Sequence, residues 1–215
     1  RKALALRSPQ LKVLVLLLHE AVLDMTRQTA ALSLIRALVD QKCVVVEMYD
    51  LMDRLVEIAV QAPTSHAREG AADVFLRFLM KFPMGHKRVA HHVRQPMRNV
   101  TFQHRDGRRS ALRLVDGMLR RLPEKVLDDE AELFFLPCVL RLANDDDREC
   151  HDSAAAALKT LLKRVTPDVF ARLIGYVLRW LSPDGLTDQN PKTTSGDEPS
   201  LMIAGGKKHG GGGGG

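Results

Sequence analysis

Asp145-Asp146-Asp147-Arg148-Glu149-Cys150-His151-Asp152-Ser153-Ala154 is the stretch on which the fold turns. Three carboxylates follow Asn144 and precede a run whose apolar line is Cys150, Ala154 and Leu158, four residues apart. That spacing places one face of a helix against a core. An Asp ahead of such a run accepts hydrogen bonds from the first backbone N–H groups, which have no partner inside the helix, and it sits at the positive helix end. Ala154 leaves room for a second helix to approach closely. The acidic triple lacks the alternating ligands, central Gly and distant Glu of a calcium loop, so it reads as a capping turn.

Outward from this stretch the helical period continues almost everywhere. Ala71, Phe75, Phe78, Leu79 and Phe82 form one apolar line, with Arg68, Asp73, Arg77 and Lys81 on other faces. Ala111, Leu112, Val115, Met118, Leu119 and Leu122 form another. Val44 to Val46 is the best strand candidate and is too short to build a sheet. Breakers divide the chain into helices over 9–25, 29–40, 46–61, 65–81, 86–100, 106–122, 129–143, a segment ending near 164, and 166–181. Ser65 and Asp106 are the expected caps of two of them, and Pro137 predicts a kink or a late start. Successive pairs occupy about 40 residues, the period of tandem helical hairpins of the HEAT or armadillo type. The expected fold is all-α, an α-solenoid over residues 1–181. Residues 182–215, rich in Pro, Gly, Ser, Thr, Asp and Lys, predict a disordered low-complexity tail. The opening at Arg1 and the closing glycines read as a piece of something longer.

Composition narrows the function classes. The chain has 215 residues, 45% of them apolar and only 5% aromatic, which argues against a sheet that stacks bases on exposed rings. Its three cysteines, Cys43, Cys138 and Cys150, form no Cys-x-x-Cys pair, so neither a zinc knuckle nor a disulfide framework is expected, and a reducing compartment fits. The most apolar run, Leu11 to Leu18, falls short of a membrane span. Cys150 beside His151 looks like a nucleophile–base pair only in the linear sequence, since helix neighbours face different ways and Cys150 lies on the apolar line. No catalytic motif, phosphate loop or cofactor motif is present, and the expectation is a non-enzyme without cofactor, metal or small-molecule substrate.

Local charge says more than the net of +6. Between Lys81 and Arg121 there are eleven cations against Asp106 and Asp116 alone, whereas Leu122 to Val165 holds six cations and ten anions. A basic ridge dominated by Arg suits a phosphate backbone, bound by charge neutralisation rather than base reading. Lys87, Arg88, Arg94, Arg98, Arg105, Arg108 and Arg109 are the candidate nucleic-acid contacts. Solvated helix faces, acidic neighbours or a protein partner would account for the same residues. His86, His91, His92 and His104 lie in the ridge. His91 and His92 point about 100° apart on a helix, so joint metal chelation is not expected.

A wider pattern carries a resemblance. Phe75-Leu76-Arg77-Phe78-Leu79, Phe82-Pro83-Met84-Gly85-His86-Lys87 and Gly107-Arg108-Arg109-Ser110 come first. Leu122-Pro123, Phe134-Phe135-Leu136-Pro137, Asn144-Asp145-Asp146 and Cys150 follow in that order. Ser33-Leu34-Ile35-Arg36-Ala37-Leu38 and Glu47-Met48-Tyr49-Asp50-Leu51-Met52 extend it upstream, so that it covers roughly Thr29 to Val165. This order resembles the large HEAT-repeat component of the small-subunit processome. The resemblance implies a nucleolar scaffold in 18S rRNA maturation. Its partners would be pre-rRNA or the U3 snoRNP and other processome proteins, and it offers no catalytic residues to carry over. A HEAT-repeat protein–protein adaptor without RNA contact is the alternative.

Overall fold

The computed structural model describes residues 7–181, which hold ten α-helices, one short 3-10 turn and no strand. They are α1 (Ser8–Ala21), α2 (Gln28–Asp40), α3 (Glu47–Gln61), α4 (Ser65–Lys81), α5 (His86–Arg98), α6 (Arg105–Arg121), α7 (Glu124–Asp129), α8 (Ala131–Asn144), α9 (Arg148–Arg164) and α10 (Pro167–Leu181). The expected tail over 182–215 lies outside the described residues. One compact unit ends at Tyr176, and of a second, Val177–Gly215, only helical residues 177–181 are described.

Within the first unit the helices stack in two rows. α1, α3, α5 and α8 follow one another in one row, and α2, α4, α6 and α9 in the other, so that α1–α2, α3–α4, α5–α6 and α8–α9 are hairpins. This is an α-solenoid. The seam between the rows holds the largest buried side chains: Phe75 and Phe78 of α4, Phe134 and Phe135 of α8, Met48, Leu51, Met52 and Leu55 of α3, and Leu112 and Met118 of α6. All are almost fully removed from water, and in a repeat array such a continuous seam takes the place of a single central core. Glu132 of α8 meets the first part of α10, accepting from the Tyr176 hydroxyl at 2.8 Å and pairing with Arg172 at 3.3 Å.

Most helices lie where the apolar period puts them, and the departures are local. Thr64, not Ser65, caps α4, its side-chain oxygen accepting from the Ala67 N–H at 3.2 Å. His104 precedes α6 without a side-chain cap, and Asp106 falls in the first turn. α1 stops at Ala21, four residues early, because Asp24 folds the chain into a turn by accepting from the Thr26 N–H and hydroxyl at 2.8 and 2.7 Å. α7 is the helix the periodicity missed: six residues after Pro123, anchored by buried Leu127, too short to show a repeat. α8 carries Pro137 inside it. Val44–Val46 forms the turn into α3, with only Val45 buried.

Two tight spots are set by backbone geometry. After α2 the Cys43 N–H reaches the Leu38 carbonyl and the Lys42 N–H the Val39 carbonyl, each at 3.0 Å. This pairing needs a left-handed residue just past the helix, and Lys42, at φ 53°, occupies the position Gly would favour. At the start of α6, Gly107 packs so closely that an added Cβ would lie 2.4 Å from the Phe102 ring and 3.2 Å from Val60 of α3.

Candidate nucleic-acid interface

α5 is amphipathic by sequence: His92, Val93, Pro96 and Met97 are buried, and Lys87, Arg88, Arg94 and Arg98 are exposed. Positions 87, 94 and 98 fall within about 40° of one another around the helix, so three of the predicted cations share one stripe. Among the described residues Lys87 and Arg98 make no ion pair. Arg94 reaches Glu130, at the end of α7, with its Nη2 2.9 and 3.2 Å from the two carboxylate oxygens, while staying 57% exposed. Arg88 lies with its guanidinium carbon 3.8 Å from the centre of the Tyr49 ring, a cation–π contact. Arg105, the first residue of α6, is exposed and only loosely paired with Asp106 at 3.9 Å.

Arg108 and Arg109 have a different fate. Arg108 is 7% exposed and donates from Nε and Nη2 to the two oxygens of Asp145 at 2.9 and 2.8 Å, a fork-to-fork pair. Its Nη2 also meets Asp146, and its Nη1 donates to the carbonyls of Phe102 and Gln103 at 3.3 and 2.8 Å. The Asp145 hydrogen bonds hold the guanidinium above its ordinary pKa. Burial works against the Asp145 carboxylate, but Arg108 and the Asp147 N–H outweigh it and keep its pKa below the usual range. Arg109 pairs with Asp147 at 3.3 Å and Glu149 at 2.8 Å. The acidic turn therefore does two jobs: Asp147 caps α9 by accepting from the Cys150 N–H at 3.0 Å, and Asp145 clamps the preceding repeat. Arg108 is thus no surface cation, and Arg109 is half-buried and neutralised. The carboxylates that neutralise them most closely, Asp145 to Asp147 and Glu149, lie 37 or more residues downstream, where no local pattern announces them.

The structure gives two of the histidines a shared partner. His91 Nε2 and His92 Nδ1 each lie 3.0 Å from one oxygen of Asp53 on α3. Neighbours on one helix cannot converge on a point, but a carboxylate has two oxygens, and α5 lies across α3 so that each ring meets one of them. These donor atoms all lie within 4.8 Å of one another, the one such triad among the described residues. As placed, each is engaged in an Asp–His hydrogen bond, and His92 is further enclosed by Tyr49, stacked at 5.9 Å, and by Phe78, edge-on at 5.1 Å. Burial alone would raise the Asp53 pKa; the hydrogen bonds from His92 and His91 more than reverse that. The group clamps α5 to α3. A half-buried acid between Met52 and Leu55 was the available signal. Cys150 is buried as expected, its thiol pushed up to about 11 mainly by burial, and Cys138 to about 12. No helix among the described residues is long and apolar enough to cross a membrane.

No family model matches the chain. Two curated proteins do, each over 156 residues, or 73% of this chain: one from Schizosaccharomyces pombe at 24% identity and one from Saccharomyces cerevisiae at 25%. Both are named U3 small nucleolar RNA-associated protein 20. The chain is similar to that protein. It spans about 6% of the length of either relative, so the likeness is that of a slice, and it bears out the resemblance read from the ordered motifs. Among solved structures, a crystal structure of an engineered protein aligns with a TM-score of 0.45 at 17% identity, covering 79% of this chain and 73% of that one.

Proposed function

We propose that this chain is a segment of a non-catalytic helical scaffold in small-ribosomal-subunit biogenesis, acting in the nucleolus during 18S rRNA maturation. It would hold pre-rRNA or the U3 snoRNP alongside other processome proteins. The relatives' association with U3 small nucleolar RNA supports the setting. The observation that carries the RNA contact is a set of exposed cations on α5 and at the start of α6: Lys87, Arg88, Arg98 and Arg105 have no strong carboxylate partner, and Arg94 keeps most of its surface in water. Such cations position a phosphate backbone without reading its sequence. Arg108 and Arg109 drop out of the contact set because their charge is spent inside the fold.

Charge reversal of Lys87, Arg88, Arg98 and Arg105 together tests this. RNA affinity should fall by at least about tenfold at moderate salt, and the slope of log affinity against log salt should flatten. Unchanged affinity refutes the contact. The adaptor reading draws on a different observation, the exposed apolar face of α1 at Val13, Leu16 and Leu17. An interface there would respond little to salt.

A further inference from the structure

The second helix row carries its own cations, at repeat spacing. The last turns of α4, α6 and α9 hold Lys81, then Arg120 and Arg121, then Lys163 and Arg164. Because α4, α6 and α9 stack side by side in the same direction, these residues fall along one edge of the row. Their neutralisation changes along it. Asp40, the last residue of α2, takes both Arg77 at 3.1 Å and Lys81 at 3.0 Å. Asp116 takes Arg120 at 2.7 Å and also accepts from the Thr160 hydroxyl at 2.8 Å. Lys159 and Lys163 on α9 are exposed and pair with no carboxylate among the described residues.

Between α6 and α9 this edge opens into a cleft of 560 Å³ lined by Arg120, Ala156, Lys159, Thr160, Lys163 and Arg164. Helix C-termini ordinarily repel anions, since their last carbonyls are unpaired and the helix dipole is negative there. Here Arg164 removes that obstacle for α6 by donating to the carbonyls of Leu119 and Leu122. No carboxylate lines the cleft. Its one apolar lining residue, Ala156, offers no anchor for a peptide but lets a chain approach the helix backbone closely. A partner that needs charge and little apolar contact fits, and a run of phosphodiesters is that partner.

We propose that the α6–α9 cleft is a second phosphate-backbone contact, in which Lys159 and Lys163, the two lining cations without a carboxylate or carbonyl partner among the described residues, pair with phosphates. It rests on the RNA-binding reading above but uses residues of the other helix row. The test is fluorescence anisotropy of a labelled single-stranded RNA homopolymer with the full 215-residue chain, across a salt series. The parent, a Lys159→Glu/Lys163→Glu variant, a milder Lys159→Gln/Lys163→Gln variant and the four-site reversal of Lys87, Arg88, Arg98 and Arg105 are compared. Circular dichroism confirms that each is folded. Reversal at 159 and 163 should weaken binding about tenfold and reduce the salt slope by about two, with the Gln pair intermediate. If both α9 variants bind like the parent while the four-site reversal does not, the cleft proposal falls and the scaffold's RNA contact stands. If the parent itself shows no RNA affinity, both fall. If polyglutamate of equal charge competes as well as RNA and the α9 variants abolish that competition, the cleft serves an acidic protein and the phosphate proposal is overturned.

Discussion

The two ends of α6 present the same residue type to opposite effect. At its start, Arg108 and Arg109 run into the acidic turn that opens α9, and their charge is consumed by Asp145, Asp146, Asp147 and Glu149. At its end, Arg120 and Arg121 lie beside a helix whose last turns carry Lys159, Lys163 and Arg164. One end is a lock between repeats; at the other Asp116 holds Arg120 and Arg164 is tied to α6 carbonyls, but Lys159 and Lys163 of α9 are left over for a partner. A cation's job in a stacked array is set by what the next hairpin brings alongside it, and that neighbour lies about one repeat away in the chain.

Breaking the lock should have the largest effect. Arg108→Ala leaves Asp145 buried, charged and stripped of its main partner, and should cost about 3 kcal/mol. For a domain of this size that lowers the Tm by about 6–12 °C, measured by differential scanning calorimetry. A smaller change would mean the turn relaxes into water and the lock is weak. Asp145→Asn should cost about 2 kcal/mol and alter the response to acid. The Asp145 carboxyl is held below its ordinary range in the folded state, so its contribution is complete above the unfolded-state value of about 4 and is lost as pH falls through the lower folded value. The parent should therefore lose stability below about pH 4 more steeply than the Asn variant, and parallel acid profiles would contradict this.

A calibration from outside both ends is Lys42→Gly. It relieves a left-handed backbone conformation at the end of α2 and should stabilise by about 0.5–1 kcal/mol, read as a rise in urea midpoint with unchanged slope. The smallest effect belongs to the unpaired lysines of α9 beside the end of α6. Lys159→Glu/Lys163→Glu should change stability by less than about 0.5 kcal/mol, because neither side chain is paired or buried. A large loss there would erase the contrast between the two ends.

The helices themselves were legible. The apolar lines of α4, α6 and α9 and the breakers at Pro63, Pro83 and Pro123 place their boundaries to within a residue or so, since period and capping are local properties. α7 was not legible, being shorter than two turns. The candidate site was legible only in part. The exposure of Lys87, Arg94 and Arg98 follows from the same helical period that buries Val93 and Met97. The withdrawal of Arg108, the sharing of Asp53 between His91 and His92, and the pairing of Arg94 with Glu130 depend on residues 36 to 39 positions away.

By itself, then, the amino-acid order determined which segments are helical, how often hairpins recur and where positive charge is concentrated, because each depends on neighbours within a turn or two. Which cations remain available to another molecule was decided only by stacking, because an ion pair forms between groups that are close in space, and each new hairpin lays its charges against those of the one before.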